Sequence, residues 1–223
     1  MLANILRVKQ GANVPPGAIL HYRFEELATE TVVKNYAGPT DGTRSGTVSS
    51  VAGVIGNAWN FPAAPSVNTN IVTPAGAVSF SAWVKFNTLA TRQTIIGDIS
   101  AAGLDTSARL FIGVNGSNFD ILLSDGSSSF YNGSSYPHGF STGVFEHLVY
   151  TISGGSLKLY VNGVLRHSIS LGISKGGPSA DALRLGKAGA FAGIYLNAAL
   201  DQVRVYNYEL SAVQVSQLYD EVI

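Results

Sequence analysis

One short segment, Leu157 to Leu165, contains the strongest local structural signal in the chain. Its sequence is Leu157-Lys158-Leu159-Tyr160-Val161-Asn162-Gly163-Val164-Leu165, with apolar-alternating runs on both sides of Asn-Gly. A two-residue type I′ turn needs positive φ at both central residues, and Asn-Gly is a preferred pair for it. The segment therefore predicts two adjacent antiparallel strands, around which the rest of the chain has to build a sheet.

The same period of two recurs from Ala18 onward. One run covers Ile19 to Phe24, and a longer one covers Val78 to Phe86. Further runs, each bounded by Gly, Asn, Asp or Ser, are Thr94 to Ile99, Arg109 to Val114, Phe119 to Ser124 and Phe145 to Ile152. Many short strands with this spacing favour an all-β fold of two packed antiparallel sheets.

The last part of the chain has a different pattern. Leu200 to Leu210 alternates like a half-buried strand, and Ser211 follows in the position of a helix N-cap. The apolar residues after it are Val213, Val215 and Leu218. We therefore predict a final strand that leads into one short C-terminal helix.

The composition limits the classes of function. The chain has 223 residues, with 14 Lys+Arg, 14 Asp+Glu and no cysteine. A net charge of zero gives no electrostatic reason to expect nucleic acid or anionic lipid as a partner. The lack of cysteine excludes disulfides and thiolate metal sites. No run approaches the roughly 18 apolar residues of a membrane span, so we predict no membrane partner.

The first 16 residues differ from the rest. Pro15 and Pro16 make the preceding segment an extended connector, because each proline disfavours helix at the residue before it. We predict that residues 1–16 form an arm and that residues 17–223 form one domain. The arm has several apolar residues, so a partner subunit or the domain's own sheet edge is expected to cover them. No apolar run of signal-peptide length is present, which predicts synthesis in a cytoplasm.

Five segments carry a resemblance to a known family. They are, in order, Ala18 to Glu25, Ser79 to Lys85, Phe145 to Thr151, Leu157 to Gly163 and Leu200 to Leu210. Over residues 17 to 221 this series resembles the laminin-G-like, concanavalin-A-like jelly-roll family of lectins and glucanases. The resemblance implies a two-sheet antiparallel jelly-roll sandwich with a concave face that binds sugars or proteins.

Some jelly rolls of this shape hydrolyse glycans with two carboxylates about 5–5.5 Å apart. The resemblance implies a strand of the type Glu-x-Asp-x-Glu for such an enzyme, and the sequence contains none. The four histidines are scattered without metal-ligand spacing: His21, His138, His147 and His167. We therefore predict a binding domain that is not an enzyme.

The resemblance also implies a calcium site, with oxygen ligands after the first strand and at the start of the last one. Carried over by position, the ligands are Glu25, Glu30, Asn35 and Asp201. The family shows Asp-Gly where this chain has Glu25-Glu26, and a second Asp where it has Gln202. The alternative interpretation is that Asp201 caps a turn and Glu25 is solvated.

A sugar site needs aromatic ring faces next to amide and hydroxyl groups. The segment from Ser127 to Phe140 offers these groups, and we predict that it is a flexible loop. The candidate sugar-binding residues are Tyr131, Asn132, Tyr136 and His138. The alternative is that Phe130 and Phe140 only anchor this loop. Trp59 and Trp83 stand in alternating apolar runs and are predicted to lie in the core.

Two sequons, Asn115-Gly116-Ser117 and Asn132-Gly133-Ser134, are interpreted as ordinary turns, because no secretory signal accompanies them.

Two classes of function follow. The first is a virion component, such as a phage capsid-decoration or fibre protein. Its arm docks on neighbouring virion subunits, and its jelly roll faces outward from the virion surface. For this class we predict that the protein forms a homo-oligomer or is part of a larger assembly. The second is an extracellular lectin that binds glycans, with or without calcium.

Overall fold

The computed structural model describes residues 14–62, 64–98, 110–126, 130–178, 181–187 and 193–221. The strands and the helix are, in chain order, β1 Ala18–Tyr22, β2 Val32–Val33, β3 Gly42–Ser45, β4 Ser49–Ala52, β5 Asn57–Pro62, β6 Ser66–Val72, β7 Val78–Phe86, β8 Gln93–Gly97, β9 Leu110–Asn115, β10 Asn118–Ser124, β11 Phe130–Pro137, β12 Glu146–Ser153, β13 Ser156–Val161, β14 Val164–Ser170, β15 Ala182–Leu185, β16 Asn197–Tyr206 and α1 Ala212–Asp220.

Over these residues the strands form two antiparallel sheets of eight strands each. Sheet 1 has the order β14-β13-β12-β7-β16-β5-β4, and β1 also pairs with β16. Sheet 2 has the order β11-β10-β9-β8-β15-β6-β3-β2. Consecutive strands often lie in different sheets, so each sheet is assembled from distant parts of the chain. The predicted two-sheet jelly-roll sandwich is confirmed.

The Asn162-Gly163 hairpin forms as predicted between β13 and β14. Asn162 and Gly163 have φ values of 52° and 76°, which is the left-handed region that a type I′ turn requires. The Asn162 side chain also accepts a hydrogen bond from the His147 N–H at 2.8 Å. The turn is therefore tied to β12 as well as to its own strands.

The core lies between the two sheets and takes inward-facing residues from both. Fully buried aromatic residues of sheet 1 contribute large areas to it, among them Trp59, Phe61 and Phe80. Sheet 2 contributes aliphatic residues such as Ile95 and Ile112. Burial of this kind stabilises the fold by roughly 1.5–3 kcal/mol per large side chain. Both tryptophans are buried. Trp59 lies in this core as predicted, whereas Trp83 lies on the outer face of sheet 1, where its ring stacks on that of Tyr219.

Helix α1 covers part of the outer face of sheet 1. Ser211 is its N-cap: the hydroxyl accepts from the Gln214 N–H, and the Gln214 side chain accepts from the Ser211 N–H. The buried face of α1 carries Val215 and Leu218, which pack with Val149 and other outward-facing residues of sheet 1. The predicted strand-to-helix ending is confirmed, although the strand ends at Tyr206, four residues earlier than expected.

The prediction of a flexible loop from Ser127 to Phe140 is wrong for residues 130–137. These residues form β11, the outermost strand of sheet 2, and pair with β10. The turn predicted at Asn132-Gly133 is wrong for the same reason, whereas Gly116 does lie in the turn between β9 and β10. The serine- and glycine-rich composition of this segment is typical of a loop and gave no strand signal. The strand forms because the backbone of β10 supplies hydrogen-bond partners whatever the side chains are.

Most of the predicted arm, residues 1–13, lies outside the described residues. Residues 14–16 contact the domain: Val14 packs beside the cluster under α1, and the Tyr208 hydroxyl donates to the Pro16 carbonyl at 2.7 Å. No helix in the described part of the chain has the length and apolar character needed to cross a membrane.

Candidate functional site

Two of the predicted sugar-binding residues, Tyr131 and Tyr136, meet on one face of β11. Their positions differ by five, so in a regular strand their side chains would point to opposite faces. A β-bulge changes this, because Phe119 pairs with Tyr136 while Ile121 pairs with Gly133. The extra residue in β11 turns both tyrosines to the same face. Their hydroxyl oxygens lie 2.8 Å apart.

His167 completes this group, and the sequence did not point to it. It lies on β14, the outermost strand of sheet 1, and its ring centroid is 5.3 Å from that of Tyr136. Its Nε2 atom is 2.8 Å from the carbonyl oxygen of Pro137. The outermost strands of the two sheets therefore meet here. We call Tyr131, Tyr136 and His167 the tyrosine rim.

The rim tyrosines are half-buried. Burial and the hydrogen bond to Tyr136 raise the pKa of Tyr131 well above its usual range. Both rings pack partly against the core, so their positions are fixed. The rim thus presents parts of two rings and a hydrogen-bonded pair of hydroxyl groups at the surface.

The other two predicted sugar-binding residues are placed differently. Asn132 is exposed and pairs with Leu122, so its side chain lies on the other face of β11 from Tyr131. His138 is buried, its Nδ1 accepts from the Phe140 N–H at 2.8 Å, and its Nε2 lies 3.0 Å from the Gly116 carbonyl. Burial lowers the pKa of His138. Both ring nitrogens of His138 are used within the domain.

Two of the predicted calcium ligands, Glu25 and Asp201, meet at the turn between β4 and β5. The Asp201 carboxylate accepts from the Val54 N–H at 2.8 Å and the Ile55 N–H at 3.1 Å. Glu25 accepts from the backbone and side chain of Asn57 at 3.1 and 3.2 Å. Burial raises the pKa of Asp201 to about 7, against the opposing effect of its backbone hydrogen bonds. In this arrangement both carboxylates hold the turn.

The other two predicted calcium ligands lie in the segment after β1. The Asn35 side chain accepts from the N–H groups of His21 and Ala37 and donates to the Ile19 carbonyl at 3.2 Å. Glu30 is exposed, and its carbonyl accepts from the Arg44 side chain at 2.8 Å. Among the described residues, no group of three or more His, Asp and Glu side chains is arranged to hold a metal ion. Calcium binding stays a prediction.

Residues 41–216 match the sequence model of a family described as the concanavalin A-like lectin/glucanases superfamily. The match covers well over half of the chain. The chain belongs to this superfamily. The curated proteins contain no match to the sequence.

Solved structures share the fold of this superfamily member. Domain 4 of AbnA, a GH43 extracellular arabinanase from Geobacillus stearothermophilus solved with arabinotriose, is 22% identical with a TM-score of 0.70, covering 91% of this chain and 98% of that one. The receptor-binding domain of botulinum neurotoxin D is 17% identical with a TM-score of 0.65, covering 92% of this chain and 52% of that one.

A third structure comes from work on botulinum neurotoxin type C, whose cell entry depends on interaction with two ganglioside molecules. It is 14% identical with a TM-score of 0.67, covering 95% of this chain and 53% of that one. The chain thus spans about half the length of these two toxin structures.

Proposed function

We propose that this protein is a non-catalytic carbohydrate-binding domain that contacts its glycan at the tyrosine rim. The observation that carries the proposal is the pair of half-buried tyrosines whose hydroxyls lie 2.8 Å apart at the edge of the sandwich. Aromatic faces cover the apolar side of a sugar ring, and fixed hydroxyls bond to its hydroxyl groups.

The rim suits a neutral sugar. The tyrosine hydroxyls are both donors and acceptors, because a phenol group is protonated at neutral pH. The hydroxyls bond to each other, and their remaining donor and acceptor capacity faces a ligand. Because core packing holds the rings in place, little side-chain entropy is lost when a ligand binds.

The comparisons support the same class of ligand. Domain 4 of the arabinanase was solved with arabinotriose, and neurotoxin type C interacts with gangliosides. The identities to this chain are 22% and 14%, so these structures suggest probes and leave the specific sugar open. Arabino-oligosaccharides and ganglioside headgroups are therefore the first probes to include.

A glycan array that contains these probes tests the proposal. We expect at least one hit, and we expect Tyr136→Ala to weaken it by about tenfold or more because it removes a ring and leaves the Tyr131 hydroxyl unpaired. Tyr131→Phe keeps the ring and should cause a smaller loss. Tyr195→Ala replaces another half-buried tyrosine outside the rim and is the matched control. A blank array, or equal losses in Tyr136→Ala and Tyr195→Ala, would count against the rim.

A further inference from the structure

A small cavity lies away from the groups that form the tyrosine rim. It has a volume of about 260 Å³ and lies among the residues after β1, the β4–β5 turn, strand β16 and the end of α1. Its lining residues are Arg23, Glu25, Ile55, Gln202 and Glu221. We call it the end cavity.

The backbone beside the end cavity is strained at two points. Phe24 and Gln202 have φ values of 57° and 47°, which non-glycine residues rarely adopt. Phe24 lies two residues after β1, which pairs with the strand of Gln202, since Tyr22 opposes Val203. Strain of this kind is energetically unfavourable and clusters at ligand sites.

Arg23 and Glu25, which carry opposite charges in the end cavity, contact different residues and not each other. The Arg23 guanidinium lies 4.3 Å from the centre of the Tyr36 ring and makes no ion pair with a described residue. Glu25 accepts from neutral donors of Asn57 at 3.1 and 3.2 Å. Each group therefore keeps hydrogen-bonding capacity without being neutralised by the other.

Gln202 adds an amide N–H donor, and contacts of its amide oxygen with His21 and Arg204 orient the side chain. Its Oε1 atom lies 2.9 Å from His21 Nε2 and accepts from the Arg204 side chain at 3.3 Å. These contacts use the amide oxygen and leave the amide N–H groups as donors. Glu221 is already paired with Arg204 at 2.8 Å. The available groups are thus one carboxylate acceptor, two sets of N–H donors and the apolar side chain of Ile55.

We propose that the end cavity binds a single sugar ring through a vicinal pair of hydroxyls, at a site independent of the tyrosine rim. One hydroxyl donates to Glu25, its neighbour accepts from Arg23 or Gln202, and the carbon face of the ring contacts Ile55. Its volume is slightly below the usual ligand-pocket range of about 300–1,000 Å³, which favours one ring over a chain. Because the donors and the acceptor are fixed before binding, the cost of ordering them is small.

The test is a titration of the full chain with neutral monosaccharides in the presence of EDTA, with the Ile55 methyl signals as the NMR readout. We expect at least one sugar to shift these signals, and Glu25→Gln to weaken its binding by about tenfold or more, because hydrogen bonds to charged groups are the stronger ones. Arg23→Lys leaves the β4–β5 turn intact and should also weaken binding. It provides the second variant if Glu25→Gln unfolds that turn.

Two control variants distinguish binding in the end cavity from binding elsewhere on the domain. Glu146→Gln alters a half-buried glutamate on β12, outside the end cavity, and should bind like the parent. Tyr136→Ala should lose rim binding while the Ile55 response remains. The proposal is overturned if no sugar shifts the Ile55 signals, or if Glu146→Gln weakens binding as much as Glu25→Gln. It is also overturned if only glycine betaine, a zwitterion without hydroxyls, produces the response, or if binding requires calcium.

Discussion

At the scale of single residues, the buried histidines make stability depend on pH. His147 is fully buried with its Nε2 atom 2.8 Å from the Ser81 hydroxyl, and burial lowers its pKa to about 3. In the unfolded chain, His147 binds a proton with the ordinary histidine pKa of about 6.5. The stability that depends on neutral His147 is therefore fully present above pH 6.5 and is lost as the pH falls toward 3.

We expect His147→Gln to remove this part of the pH dependence. The measurement is the free energy of unfolding in urea from pH 7.5 to pH 4, taken as the difference between parent and variant at each pH. The advantage of the parent should shrink steadily toward pH 4. Taking the difference cancels Asp201, whose raised pKa acts in the opposite direction. Ser168→Ala, which adds no titrating group, should differ from the parent by a constant amount, and a constant difference for His147→Gln would contradict the prediction.

The calcium prediction also belongs to single residues, and Glu25 and Asp201 are the two of its four proposed ligands that meet at the β4–β5 turn. An ion that binds only the folded chain must raise the melting temperature. At 100 times the dissociation constant the gain is about 2.7 kcal/mol, which corresponds to about 5–10 °C for a chain of this size. We expect calcium to raise the midpoint relative to EDTA, and we expect Asp201→Asn to abolish that rise. Identical melting curves in calcium and in EDTA would rule the site out.

At the scale of elements, helix α1 depends on the capping residue that the sequence indicated. The Ser211 hydroxyl accepts from the Gln214 N–H, which would otherwise have no partner at the helix start. We expect Ser211→Ala to lower the free energy of unfolding by about 1 kcal/mol. Ser216→Ala is the matched control, since Ser216 is exposed within the same helix and alanine is a better helix former. Equal effects of the two substitutions would show that the cap contributes nothing.

The elements found from sequence are those whose signals are local. The Asn162-Gly163 turn and the Ser211 cap are each specified by residues a few positions apart, and both occur as predicted. Strand β11 escaped prediction because its pairing with β10 and its bulge at residues 133–136 depend on another strand. The extra residue of a bulge shifts the alternation of inward and outward side chains by one position. The alternation is then no longer visible in the sequence as a continuous strand pattern.

The tyrosine rim shows the same limit for the candidate site. Tyr131 and Tyr136 were candidates because of their residue type, but no sequence pattern joins them to His167. That contact exists because β11 and β14 are the outermost strands of different sheets, a consequence of topology. The end cavity also depends on topology, because its lining residues Arg23 and Glu221 come from opposite ends of the chain.

At the scale of the whole molecule, helix α1 and residues 14–16 lie on the same face of sheet 1. Val14 packs beside the cluster formed by α1 and sheet 1, and the Pro16 carbonyl accepts from the Tyr208 hydroxyl at 2.7 Å. Residues 14–16 therefore lie on the helix-covered face, while the tyrosine rim lies where the outermost strands of the two sheets meet. Assembly through one surface and glycan contact at another are compatible in a single chain.

This arrangement leads to a prediction for the arm. Deletion of residues 1–13 keeps the contacts of Val14 and Pro16, so we expect the truncated chain to melt within a few degrees of the parent. If the arm docks on a neighbouring subunit, as the predicted virion or other assembled state requires, the truncated chain should run as a monomer when the full chain does not. Light scattering coupled to size-exclusion chromatography measures both states, and the glycan array serves as the control because the rim is untouched. Unchanged assembly after deletion would reject the arm as an assembly device and leave the extracellular lectin as the simpler assignment.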